Sequence, residues 1–397
     1  MTKLKLSIGA ALVVALIVLG VGQTKLQEPS VAAGSGVMAP HFEVDPYWPR
    51  PLPHMWAMGN TIGVHVDNRD HVFVVHRNDA SQFGGNTEIG LQGGVSECCQ
   101  PAPPIIEFDH AGNVVNAFGG PDPDAPYVWP ESNHGIEIAP NGDIWIGGNG
   151  GSDSHILVFT RDGEYIRTIG VPGEDRDSNS QTHFSRVAEI AIDVEANEAY
   201  IADGYRNRRV AVLDVSTGAF KRYWGAYGNR PDDEADVTYT PGVAGPQQFR
   251  GPVHCAEPTY DGLVYVCDRG ADRVQVFRKD GTYVREVVYN PKTLNQGSTW
   301  DIAFSKDPEQ EFMYLVDGQN FKVSVIDRQS MEVLYTFGQG GRQPGTWYAP
   351  HSIATDSEGN IYTTETYEGA RVQKFVYQGI RPITVKERAP TWPANKL

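Results

Sequence analysis

The sequence predicts an all-β protein, a six-bladed β-propeller, and three observations carry that prediction. Six segments share one plan: apolar strand, Asp/Asn/Gly turn, apolar strand, polar loop, third strand, second turn, fourth strand. Within each run the apolar residues alternate, and Asn-Gly or Asp-Gly turns separate the runs, which demands hairpins rather than helices. The unit recurs at roughly 50 to 70 residues, and self-similar four-stranded units at such a period read as propeller blades.

The elements follow in chain order. Lys3 and Lys5 precede an almost unbroken apolar run, Leu6 to Val21, with small residues near its end. That is a signal-peptide pattern, and residues 1–22 are read as a signal peptide cut after Gly22. The alternative is an uncleaved N-terminal anchor, for which the run is short. The chain is therefore expected to be secreted or periplasmic, or else anchored facing the extracytoplasmic side. Residues 23–43 read as a flexible leader, 44–390 as the propeller and 391–397 as a tail. Blades begin near Ile62, His134, Ala188, His254, Trp300 and His351. Blade one, IGVHVDNRDHVFVVHR, is interrupted by an insertion from Asn78 to Ala102 and resumes as PPIIEFDHAGNVVNAFGG. Two stretches flank the ring, His41 to Pro53 and Arg381 to Pro390, and either can supply the strand that closes it.

Composition bounds the function. The chain has 397 residues and a net charge of −16 with no block of like charge, which argues against nucleic acid and against an anionic membrane face. Contact with a membrane is expected only through the N-terminal segment, and a monomer is expected. Export makes disulfides permissible for the four cysteines. Cys255 and Cys267 flank the turn Asp261-Gly262 and can pair across a hairpin. Cys98 and Cys99 are either a vicinal disulfide or two separate thiols.

Aligning the blades on their first strand gives Ile62, His134, Ala188, His254, Trp300 and His351. Histidine occupies alternate blades. The first strand of a blade lines the channel, so three alternate positions of a six-fold ring point at one axis. This predicts an open three-histidine metal site, which suits zinc with water or substrate as fourth ligand. His65, His71, His155 and His183 lack this pattern and read as ordinary polar residues. Strands one and two of a blade are antiparallel, so residues just after strand two surround the histidines: His76 and Arg77, Gly204 and Tyr205, Asp268 and Arg269. Arg77 and Arg269 occupy one repeat position on opposite blades and suit a carboxylate clamp. Tyr205, a phenol near cations, suits a proton acceptor, against the alternative of a packed rim aromatic.

The segments DGYRNRRV and DRGADRV resemble the NHL repeat. In that resemblance Asp203, Asn207, Arg209, Asp268 and Arg273 are structural loop residues. The residues GVHVDNRDHVFVVHRND, NHGIEIA, DGYRNRR, VHCAEP, CDRGADR and PHSIAT resemble motifs of the peptidyl-α-hydroxyglycine α-amidating lyase family, over roughly Val44 to Phe375. The resemblance implies a zinc lyase that splits the C–N bond of an α-hydroxyglycine end of a small molecule or peptide, releasing an amide and glyoxylate. It implies zinc on His134, His254 and His351, catalysis by Tyr205 and Arg77, and substrate binding by Arg269 with Arg77. It further implies a structural calcium held by the carbonyls of Val64 and Ile136 and by an aspartate. Ser352 stands at the position of that aspartate, so one hard anionic ligand is missing. Two rivals stand beside this reading. A calcium-dependent propeller hydrolase such as a lactonase would use Glu, Asp and Asn ligands, and a non-catalytic NHL-type binding module would need no metal.

Overall fold

The computed structural model describes residues 36–78, 99–384 and 387–388. Among them each repeat is a four-stranded antiparallel blade, as predicted. Blade two, for example, runs Asn133–Ile138, Ile144–Gly148, His155–Phe159 and Tyr165–Gly170 from axis to rim. The first strands are Asn60–Val66, Asn133–Ile138, Glu189–Asp193, Val253–Pro258, Asp301–Phe304 and Pro350–Thr355. Each contacts the next in that order, and the last returns to the first, so the ring is closed. Second and third strands are almost wholly buried, whereas fourth strands are half-exposed. Apolar clusters therefore fill the spaces between neighbouring blades, as with Trp145, Val187 and Leu213 between blades two and three.

The closing strand is the N-terminal one. Met38–Asp45 lies antiparallel on Arg371–Pro382, with Val44 opposite Phe375. It begins six residues ahead of the boundary at residue 44, so the stretch read as leader ends earlier than expected. Ala39, Phe42 and Val44 bury their side chains against Trp347 and Phe375. Pro40 hides this strand in the sequence, because proline cannot donate to a ladder. It is tolerated here on the outer edge, beside a register shift between Pro40 and Phe42. From the other flank, Glu387–Arg388 adds in parallel to the outer strand of blade five.

Cys255 and Cys267 face each other across a hairpin and are disulfide-bonded. Cys99 is also disulfide-bonded. Cys98, most of the insertion after Asn78, residues 1–35 and the tail lie outside the described residues. Among the described residues no helix is long and apolar enough to cross a membrane.

The NHL-type residues are the latches expected of them. Asp203 accepts Arg209 Nε at 2.8 Å with both side chains fully buried, and Asn207 Nδ2 at 2.7 Å. Arg209 then donates to the carbonyls of Ser178, Ser180 and His183, tying the loop before blade three to its third strand. Asp268 and Arg273 repeat the pair in blade four at 2.9 Å. Removing one partner leaves a charge buried without compensation, which costs about 3 to 5 kcal/mol. Asp203→Ala should therefore lower the denaturant midpoint by that much stability, whereas Asp214→Ala, on the solvent side of the same blade, should change it little.

Candidate metal centre and surrounding cavity

His134, His254 and His351 meet on the channel axis, with ligand atoms within 4.8 Å of one another. Their ring centroids lie 4.8, 4.9 and 5.3 Å apart. All are buried. The other three members of the layer orient them. Nδ1 of His134 lies 2.6 Å from the Ala188 carbonyl, that of His254 2.5 Å from Trp300, and that of His351 2.8 Å from Ile62. A carbonyl only accepts, so Nδ1 must carry the hydrogen in each ring. Nε2 is left as a bare acceptor, and this outer bond fixes both tautomer and ring direction. Burial first, then neighbouring guanidiniums, joined for His134 and His254 by neighbouring imidazoles, holds each histidine well below its usual range. Neutral imidazole is the form a metal requires.

Two glycines permit this approach. A Cβ on Gly135 would lie 2.9 Å from Glu189 Cα and 3.0 Å from the Ala188 carbonyl that holds His134. A Cβ on Gly204 would lie 2.1 Å from Val253 N, so any larger residue would push Tyr205 away from blade four. Glycine is the residue for such backbone contacts.

The Tyr205 hydroxyl sits 2.9 Å from His134 Nε2 and 3.0 Å from His254 Nε2. Both nitrogens are acceptors, and the phenol has one hydrogen to give. Three imidazole nitrogens and a phenol oxygen thus converge with one proton among them, a donor set that can hold a metal cation. Arg269 Nη1 donates to the same hydroxyl at 3.2 Å, and its guanidinium stacks 4.5 Å over Trp300. Gln296 accepts from Arg269 Nη2 at 2.9 Å. Arg77 donates to the Asn133 carbonyl at 3.1 Å and to Asn149 at 2.8 Å. Burial pulls Arg77 down to about 10, opposed by the charge of Tyr205, so the group remains cationic at neutral pH. Arg269, rather than Arg77, is the guanidinium bonded to Tyr205 at 3.2 Å. Spacing could not separate the two, because they share one repeat position.

Arg77, Arg269, Tyr205 and His351 line one cavity of about 410 Å³ above the histidine layer. Sequence reasoning missed further polar walls, among them Asn149, Arg186, Gln296 and Tyr367, which sit on irregular loops without periodicity. A left-handed backbone at Arg186, Asn295 and Tyr367 bends those loops over the site. His76 is placed elsewhere: its ring is spent on the Pro103 carbonyl and the Gly59 N–H, and burial pulls it to about 4. His65 and His71 pair with Glu137 and Glu107, and His155 with the Val128 carbonyl.

Below the histidines, Val64, Ile136 and Ser352 line the next layer of the channel, the place of the implied calcium. Its carboxylates are Glu137, Glu189, Glu257 and Asp301, from blades two to five. Glu189 accepts the Ala256 N–H at 2.9 Å, and Asp301 accepts the Ile353 N–H at 2.9 Å. Each therefore satisfies the open inner edge of the following blade. Burial raises both carboxyls, Asp301 to about 6.

No family model matches the chain. Among curated proteins it is 22% identical over 353 residues to peptidyl-glycine alpha-amidating monooxygenase A of Xenopus laevis, covering 84% of this chain and 33% of that protein. The chain thus spans about one third of that relative. It is 25% identical over 325 residues to the probable peptidyl-alpha-hydroxyglycine alpha-amidating lyase of Caenorhabditis elegans, covering 78% of this chain and 80% of that one. It is 23% identical over 355 residues to NHL repeat-containing protein 3 of Mus musculus, covering 85% and 84%. Among solved structures, that of a streptogramin B lyase superposes with a TM-score of 0.50 at 13% identity, covering 87% of this chain and 100% of that one. That likeness concerns the fold alone. The resemblance read from short motifs thus extends over most of the chain, to amidating enzymes and NHL-repeat proteins alike.

Proposed function

We propose that the protein is a zinc-dependent lyase that cleaves the C–N bond of an α-hydroxyglycine-type carbinolamide to an amide and glyoxylate. The observation that carries this reading is the meeting of three imidazoles oriented through Nδ1, two of which bond the Tyr205 hydroxyl through Nε2, in a cavity lined by Arg77 and Arg269. His134, His254 and His351 would hold the ion, and zinc suits three neutral imidazoles with an open position. A bound zinc would acidify a hydroxyl placed on it.

The chain's own residues supply the rest. Arg269 and Arg77 offer forked donors for the substrate carboxylate and set the carbinol carbon beside Tyr205. Tyr205 takes the hydroxyl proton as the carbon–oxygen double bond forms and the C–N bond breaks. The departing nitrogen takes a proton, which Tyr205 is placed to return, so one proton moves from oxygen to nitrogen and nothing is oxidised. To act so, Tyr205 would begin as a phenolate, its own proton given up to solvent, and Arg269, which donates to that oxygen, would steady the charge until the hydroxyl proton neutralises it.

The lactonase reading fares worse, because the three residues that converge on the channel axis beneath the arginines are histidines, in place of the Glu, Asp and Asn that a calcium site would use. Metal analysis separates the two: zinc for the lyase, calcium for the lactonase. The reaction itself is tested by glyoxylate release from an N-acyl-α-hydroxyglycine. We expect release well above the uncatalysed rate, a fall of about a hundredfold or more after chelation, and recovery with added zinc. Release no faster than in buffer, or indifference to chelation, would sink the proposal.

A further inference from the structure

We propose that Arg186 reads a second carboxylate on the substrate, located on its acyl side, so that the preferred substrates are α-hydroxyglycines N-acylated by a compact dicarboxylic acid. This deepens the reading above and rests on it. Arg186 lines the same cavity as Arg77, Tyr205 and Arg269. Its backbone is left-handed, with φ 66°, a conformation that strains any residue with a Cβ. Two main-chain bonds hold it there: its N–H donates to the Asp153 carbonyl at 2.8 Å, and its own carbonyl accepts the Tyr205 N–H at 3.2 Å. The strained residue is therefore fastened to the residue proposed as base. Strain of this kind costs of order 1 to 3 kcal/mol and persists where surrounding structure imposes it, often at functional sites.

The guanidinium is unspent. Among the described residues it makes no hydrogen bond or ion pair, and its Nε is buried without an acceptor. Glu131, an acid on which its charge acts, already gives both carboxylate oxygens to Ser152, at 2.6 and 3.3 Å. Nor does the cavity supply a counter-charge: its lining carries three arginines and no carboxylate, in a chain of net charge −16. A buried donor without a partner is costly, so an acceptor in the bound state is the natural complement.

The carbinol carbon says where that acceptor lies. It bears a hydrogen, a hydroxyl, a carboxylate and an acylated nitrogen. The hydroxyl belongs to Tyr205 and the ion, and the carboxylate belongs to Arg77 and Arg269. Hydrogen carries no charge, so a further anion can only come from the acyl side. A cavity of about 410 Å³ suits a short acyl chain.

Calorimetry on the full, metal-loaded chain tests this without turnover, using N-succinylglycine and N-butyrylglycine, which share the glycine carboxylate but lack the reactive hydroxyl. We expect the succinyl compound to bind roughly tenfold tighter, and the ratio to shrink with salt. In Arg186→Gln the ratio should fall to about one, and Arg186→Lys should restore part of it. Arg186→Gly, free of left-handed strain, serves if the glutamine variant folds poorly. A wild-type ratio below about two, the same ratio in Arg186→Gln, or no binding of either ligand would overturn the proposal. Glyoxylate release from N-butyryl-α-hydroxyglycine tests the reaction separately, so failure of one is distinguishable from failure of the other.

Discussion

His351→Ala should empty the metal centre and abolish most of the activity. Metal-ion assistance is worth several kcal/mol at the transition state, and each 1.36 kcal/mol is tenfold in rate, so a loss of about a thousandfold is expected. Bound metal should fall from near one equivalent to a small fraction, because two imidazoles cannot replace an oriented set of three. The substitution also removes one of two donors from the Ile62 carbonyl, which accepts from His351 Nδ1 at 2.8 Å. That carbonyl accepts from Thr364 Oγ1 as well, at 3.1 Å, so it keeps a partner and the stability cost should stay near 1 kcal/mol. Comparing denaturant midpoints with metal content separates loss of ligand from loss of fold. His65→Ala is the control: that ring lines the lower channel and is paired with Glu137 at 2.5 Å, outside the three-histidine cluster, and its removal should leave metal content unchanged. A His351→Ala protein that keeps its metal and its rate would refute the assignment.

The histidines were legible because symmetry made them so. A propeller repeats one geometry, so a residue type that alternates along the chain alternates around the axis, and His134, His254 and His351 fell together as the spacing required. The residues that aim them were not legible. Ile62, Ala188 and Trp300 act through backbone carbonyls, and a carbonyl leaves no mark in the side-chain pattern. Their position in the repeat was nevertheless recorded: they are the three members of the layer that are not histidine. Gly135 and Gly204 look like ordinary turn glycines in sequence, and only the packed ring shows what a Cβ would strike. The closing strand was half legible, since Phe42 and Val44 alternate with His41 and Glu43, but Pro40 reads as a break until the outer edge is seen to tolerate it. Arg186, Gln296 and Tyr367 were invisible for a different reason. They sit on loops, where no periodicity links residue number to direction, and the left-handed turns that aim these loops cannot be read from such residue types.

Tyr205→Phe is the substitution that separates a base from a rim aromatic. The ring packs 4.8 Å from His134 and 5.4 Å beneath Arg269, and phenylalanine preserves both contacts. The histidines keep their carbonyl partners, so metal content and stability should be unchanged. Only the hydroxyl is lost, and with it the contacts at 2.9, 3.0 and 3.2 Å to two imidazoles and a guanidinium. A positioned acid–base group contributes about 10²- to 10⁴-fold, so kcat should drop by roughly a thousandfold. KM should move little, because the carboxylate is bound through Arg77 and Arg269, whose forks remain. A purely structural role predicts the reverse: altered stability or metal content, with kcat per bound metal near wild type. A kcat within about fivefold of wild type, at full metal occupancy, would remove Tyr205 from the chemistry. It would leave the acidified hydroxyl to lose its proton to solvent, in a cavity whose lining offers no carboxylate to take it.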